Sequence, residues 1–233
     1  MATTDSANRF AGVRLLIFDL DGTLVDSCED LAIAVNAARG RMGLPPLPYE
    51  QIRGYVGHGA PMLVRRSLGP EASGADVERA LGFFRGHYRG HLLDNTVPYP
   101  GVREALEAFA GCGFVGDPRR AMAVLTNKPT DFSEAILKGL GLRHYFGFVY
   151  GGESFERKKP DPIGVETLLR ELGAEPREAM MIGDSEIDVQ TARNAGVWAC
   201  GVTYGLGSAG LAANPPDLLL DTLTDLPHYL TGF

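Results

Sequence analysis

Five short apolar runs, at 13–20, 121–125, 148–150, 179–182 and 197–202, punctuate the chain. Each is too short for a buried helix and too uniformly apolar for a strand with one wet face, so each reads as a strand covered on both sides. Between them, 101–110, 131–140, 163–172 and 186–195 carry apolar residues at helical spacing, with Leu168, Leu169 and Leu172 on one stripe. This alternation predicts βαβ units: an α/β protein with a doubly wound parallel sheet and helices on both faces. A sixth strand is expected at 218–220 and a closing helix at 223–230.

The stretch from 28 to 95 breaks this rhythm. It has no buried-strand pattern, but helical spacing at 31–42, 60–68 and 77–92, with proline-rich bends at 44–48 and 97–100. An all-helical insert is therefore expected at 28–95, dividing a core made of 1–27 and 96–233. A chain of 233 residues has room for two such units. Phe83, Phe84 and Tyr88 read as the insert's own core, and Trp198 as packing within a strand.

A formal charge of -7 argues against nucleic acid and anionic membranes as partners. Any site for an anionic small molecule must then be a local island of cations. Cys28, Cys112 and Cys200 show no paired spacing and read as reduced packing residues. Residues 1–10 lack a basic start and an apolar run, and no stretch reaches membrane-spanning length, so a cytoplasmic protein is expected.

The carboxylates mark the chemistry. Asp19 and Asp21 stand where the first strand emerges, at the edge of an open sheet where ligands bind. Alternation along extended backbone puts both on one side, and Gly22 lets the chain turn at once. A strand ending in an ordinary Asp-Gly turn is the alternative. Asp184 and Asp188 follow a second strand at i, i+4, adding oxygens suited to a hard cation such as Mg²⁺; an N-cap and a first-turn acid would look the same. Thr126, Asn127 and Lys128 follow a third strand, where a hydroxyl and backbone amides could hold phosphate oxygens or merely form a polar loop. Lys158 and Lys159 precede Pro160 at a helix entry, as a solvated basic turn also would.

Taken in order, these four signals resemble the motifs of the haloacid dehalogenase superfamily of aspartyl-phosphate hydrolases, over nearly the whole chain. Within it the chain is most similar to the phosphoglycolate phosphatase family, on 19–27, 56–60, 125–129, 158–162, 183–185 and 202–205; His58 departs from the more usual Asn. The resemblance implies a Rossmann-like core with the helical insert as a mobile cap. It implies Mg²⁺ held by the Asp19 carboxylate, the Asp21 backbone carbonyl and Asp184, with Asp188 orienting Lys159 or the metal's water shell. Asp19 would attack phosphorus, Asp21 would act as acid and then base, and Thr126, Asn127 and Lys159 would bind the phosphoryl group. Gly57 and His58, in the turn entering the 60–68 helix, and Arg65 are candidates for reading the leaving group. The expected partner is a small phosphorylated metabolite, 2-phosphoglycolate foremost, and the protein a monomer or homodimer. Another small phosphate ester, pyrophosphate, or a sugar-phosphate mutase reaction on the same core are the alternatives, as is a silent binding protein, which the presence of Asp19 disfavours. An acid at Asp21 argues against dehalogenation, since halide leaves without a proton. Phosphonoacetaldehyde hydrolysis would need a lysine in the insert, and 28–94 has none.

Overall fold

The computed structural model describes residues 9–231; residues 1–8, on which most of the reading of the N-terminus rests, lie outside them. In chain order, β1 (Leu15–Phe18) and β2 (Val25–Asp26) lead into four helices, α1 (Cys28–Arg41), α2 (Tyr49–Arg53), α3 (Ala60–Leu68) and α4 (Gly74–Gly90). There follow β3 (Val97–Pro98), α5 (Val102–Phe109), β4 (Ala121–Leu125), α6 (Thr130–Gly139), β5 (Phe148–Tyr150) and α7 (Ile163–Leu172). The chain continues through β6 (Ala179–Gly183), α8 (Glu186–Ala195), β7 (Trp198–Val202), β8 (Leu218–Leu220) and α9 (Leu226–Thr231).

Six strands form a parallel sheet in the order β5-β4-β1-β6-β7-β8. Alternate side chains of one strand feed two separate cores. Leu16 and Phe18 of β1, with Met122, Val124, Met180 and Ile182, pack under α5, α6 and α9. Leu15 and Ile17, with Ala123, Leu125 and Met181, pack under α7 and α8. This period of two, buried on both faces, is why the runs are continuously apolar. The chain builds outward from β1 to β5, then returns to β6 on the other side. That reversal opens a crevice at the carboxyl ends of β4, β1 and β6, where a doubly wound sheet binds ligands.

Helices α1 to α4 gather a third apolar cluster, centred on Val35, Ile52, Leu81, Phe84 and Tyr88 and closed by Phe132 from α6. The predicted helices are all present, with α7, α8 and α3 at their expected limits. The short α2 and the antiparallel pair β2·β3 carry too few residues to show any period; Val25 pairs with Pro98 and Asp26 with Val97, beside the two points where the helical stretch leaves and rejoins the chain.

Beside that pair, Asp30 closes a clasp. Its carboxylate accepts from the Asn95 and Thr96 backbone amides, the Asn95 side-chain amide and the Thr96 hydroxyl, at 2.7–3.1 Å. Burial alone would raise its pKa, but these donors outweigh it and hold the carboxyl below its usual range. Replacing it, Asp30→Ala, strands buried donors at roughly 1–3 kcal/mol each, so a loss of roughly 2–4 kcal/mol is expected in urea unfolding. Because the folded pKa is depressed, the clasp acts fully above pH of about 4 and is lost as pH falls through the lower folded value. The wild-type advantage over Asp30→Ala should therefore shrink on acidification; a gap under about 1 kcal/mol at neutral pH would refute the clasp.

Candidate active site

Three strand ends supply the site. Asp19 follows β1, Thr126 to Lys128 follow β4, and Asp184 follows β6. Glycine is required where they meet: Gly22 adopts φ +88°, and a side chain there would run into the Asp184 carboxylate.

Asp19, Asp184 and Asp188 are buried, and one oxygen of each lies within 4.8 Å of the others. Lys159 stands among them, its Nζ 2.9 Å from Asp19 Oδ1 and 2.7 Å from Asp188 Oδ1. The Asp19 approach is an ion contact outside hydrogen-bond geometry, which leaves Oδ1 a buried acceptor without a hydrogen bond. The other Asp188 oxygen accepts from the Ser185 amide at 3.1 Å and hydroxyl at 2.7 Å, closing a capping box on α8. Asp188 is thus both a first-turn acid and a member of the cluster, while the N-cap is Ser185, not Asp184. Asp184 accepts from Gly207 N at 2.8 Å and Thr23 Oγ1 at 3.3 Å.

One ammonium does not balance these carboxylates. Burial, only partly offset by Lys159, pushes the Asp19 carboxyl up; burial together with Asp188 and Asp19 pushes Asp184 up further. Burial also works against the Lys159 ammonium, but Asp188 and Asp19 outweigh it and hold its pKa at about 12. The surplus negative charge and the all-oxygen donor set fit a small hard dication.

Asp21 sits apart from this cluster. Its carboxylate accepts from Ser27 Oγ at 2.5 Å and from Lys128 Nζ at 3.0 and 3.2 Å. Lys128 also donates to Tyr88 Oη at 2.7 Å, across the seam between β4 and α4. Asp19, Asp21, Thr126, Lys128 and Tyr88 line one cavity enclosing about 30 Å³ of free space. Lys128 and Tyr88 were not expected there: the lysine looked like part of a loop and the tyrosine like plain core. Tyr88 is core by its ring, stacked on Phe84 at 5.4 Å, while its hydroxyl meets Lys128 and the residue lines the cavity.

Thr126 Oγ1 accepts from Lys128 N at 3.3 Å, so its own proton is free for another acceptor. Asn127 spends its Nδ2 on the carbonyls of Gly57 and Lys159, at 3.1 and 3.2 Å, tying the loop before α3 to the sheet. Gly57 and Gly59 line the cavity, but His58 is exposed and outside its lining. Arg65 is exposed on a separate surface beside Tyr55, Met62 and Arg66, and the structure does not bring it to the site.

A doubly wound sheet whose switch point carries a buried carboxylate cluster, a lysine and a cavity has the layout of an α/β enzyme. The model of the haloacid dehalogenase-like hydrolase family matches residues 16–202. A phosphoglycolate phosphatase of Vibrio vulnificus (strain YJ016) is 39% identical over 223 residues, covering 92% of this chain and 94% of the relative. One from Chromobacterium violaceum is 39% identical over 218 residues, 92% and 95% of the two chains. Among solved structures, a predicted phosphoglycolate phosphatase from Haemophilus somnus 129PT superposes with a TM-score of 0.85 at 32% identity, covering 92% and 96%. The chain belongs to the haloacid dehalogenase-like hydrolase family. Among the described residues no helix is long and apolar enough to cross a membrane.

Proposed function

We propose that the protein is a magnesium-dependent phosphatase that hydrolyses 2-phosphoglycolate to glycolate and phosphate through a phosphoryl group carried on Asp19. The observation that carries this reading is the convergence of Asp19, Asp184 and Asp188 within 4.8 Å of one another, with Lys159 in contact with Asp19 and Asp188, beside a cavity that Asp21 also lines. The names of the relatives support the substrate. Asp19, Asp184 and the Asp21 carbonyl would hold Mg²⁺, with Asp188 supporting. Bound there, the ion would neutralise phosphate charge and offset the repulsion between two anions.

The chain's own groups divide the remaining work. Asp19 attacks phosphorus, and the P–O bond to the leaving group breaks with its electron pair going to that oxygen. Asp21, carrying a proton, delivers it to the departing alkoxide, then takes one from the water that opens the aspartyl phosphate. Thr126 donates its free proton to a phosphoryl oxygen. Lys159 supplies fixed positive charge and is itself aimed by Asp188. The helical insert, 28–95, acts as a cap on the core of 1–27 and 96–233, with β2·β3 as its hinge, and closes to exclude water.

A panel of phosphate esters assayed with Mg²⁺ tests the reading. The kcat/KM for 2-phosphoglycolate should exceed that for generic esters by at least about 100-fold, and chelation should abolish turnover. Equal rates across the panel would remove the named substrate.

A further inference from the structure

We propose that Lys128 and Tyr88 form the receptor for a carboxylate on the leaving group, and so select carboxylated phosphate esters over neutral ones. The inference rests on the phosphatase reading above and assigns its specificity.

The only cation lining the cavity, among the described residues, is Lys128. Its side chain is 4% exposed, and its ammonium lies 2.7 Å from Tyr88 Oη and 4.7 Å from the centre of that ring. An ammonium can only donate, so the phenol oxygen accepts, and the phenol's own proton is left to donate elsewhere. Burial, against the pull of Lys128, raises the Tyr88 pKa to about 12, so that proton is present at neutral pH. A full charge and a neutral donor therefore converge beside Asp21, on a wall otherwise built from Leu31, Val56, Leu63 and Phe132.

The competing anion site is the start of α3, and it is weak. Pro61 has no amide proton, and the Met62 and Leu63 amides bond back to the Gly59 carbonyl. Of that first turn only the Ala60 amide remains for a ligand, with a partial dipole charge behind it.

Geometry gives the selection its logic. The Lys128 ammonium stands 3.0 Å from Asp21 and 2.7 Å from Tyr88 Oη, on one wall of the cavity that receives the leaving group. A carboxylate one carbon from the ester oxygen would accept from both the ammonium and the phenol, one of these hydrogen bonds being charge-assisted. A neutral ester offers no anionic oxygen to either donor and gains neither contact.

The test is kcat/KM for 2-phosphoglycolate and for ethyl phosphate, which lacks the carboxylate, in the wild type, Lys128→Met and Tyr88→Phe. The ratio of the two values should fall at least about 30-fold in Lys128→Met and about 5–10-fold in Tyr88→Phe, the range set by one charged or one neutral hydrogen bond. Tyr88→Phe keeps the ring in its packing, so it reports even if Lys128→Met does not fold. If the wild type prefers the carboxylated ester and the variants lose both esters equally, the pair acts only through Asp21 and the proposal is overturned while the phosphatase reading stands. A wild-type enzyme indifferent to the carboxylate overturns both.

Discussion

Asp19→Asn should reduce turnover by at least about 10⁴-fold, the scale of losing a nucleophile on which every later step depends. Asparagine keeps the shape of the side chain but offers no anionic oxygen to phosphorus. The fold should survive the change, and metal-free protein should be as stable as wild type or slightly more so. Asp19 is one of three buried carboxylates facing a single ammonium, and its burial disfavours its own charge. Lys159 loses its contact to Asp19 but keeps Asp188 at 2.7 Å. Thermal melting beside steady-state kinetics checks both halves. Retained turnover above about 1% of wild type would mean that the nucleophile lies elsewhere, since loss of a true nucleophile costs far more than about 100-fold.

Lys159→Met should do the reverse to stability. It removes the ammonium that Asp19 and Asp188 share, at 2.9 and 2.7 Å, and leaves the carboxylates packed together without compensation. Breaking a buried pair in this way costs about 3–5 kcal/mol, measured by denaturant unfolding at neutral pH. The loss should depend on pH, and the direction follows from the charges. Burial already raises the Asp19 and Asp184 carboxyls, and without the lysine that holds them down their folded pKa values lie further above the unfolded ones. Their destabilisation is then relieved as pH falls through those raised values, because protonation removes the repulsion. The gap between variant and wild type should accordingly narrow between about pH 8 and pH 5, a range that lies above the ordinary carboxylate values. Activity should fall about 10³-fold or more, the scale of losing a positive group at a transferring phosphoryl. A variant within about 1 kcal/mol of wild type at neutral pH, with no pH dependence, would contradict the charge arrangement drawn here.

Much of this was legible in the sequence, for a physical reason. Strands covered on both faces must be continuously apolar, and a ligand site at their carboxyl ends must place polar residues immediately after them. Asp19, Thr126 and Asp184 are therefore visible as abrupt breaks in apolar runs. Lys128 was harder to see. Its partners Asp21 and Tyr88 lie 107 and 40 residues away in the chain, and no local pattern records that contact. The one available signal was scarcity: the chain has 4 lysines, none of them in the helical stretch, and Lys128 stands two residues past Thr126 at a strand end. Asp30 was hidden for the same reason, since it looks like an ordinary first-turn acid until the chain returns 65 residues later at Asn95. Arg65 shows the opposite error. A basic residue near a glycine turn suggested an anion site, but its position along α3 points it to a different surface.

The stereochemical course at phosphorus shows whether Asp19 ever carries the phosphoryl group. With a substrate made chiral at phosphorus by oxygen isotopes and sulfur, hydrolysed in isotopically labelled water, each in-line displacement inverts the centre once. Attack by Asp19 followed by attack by water gives two inversions, so net retention is expected. Net inversion would show a single displacement by water, with no phosphoryl group ever resting on Asp19.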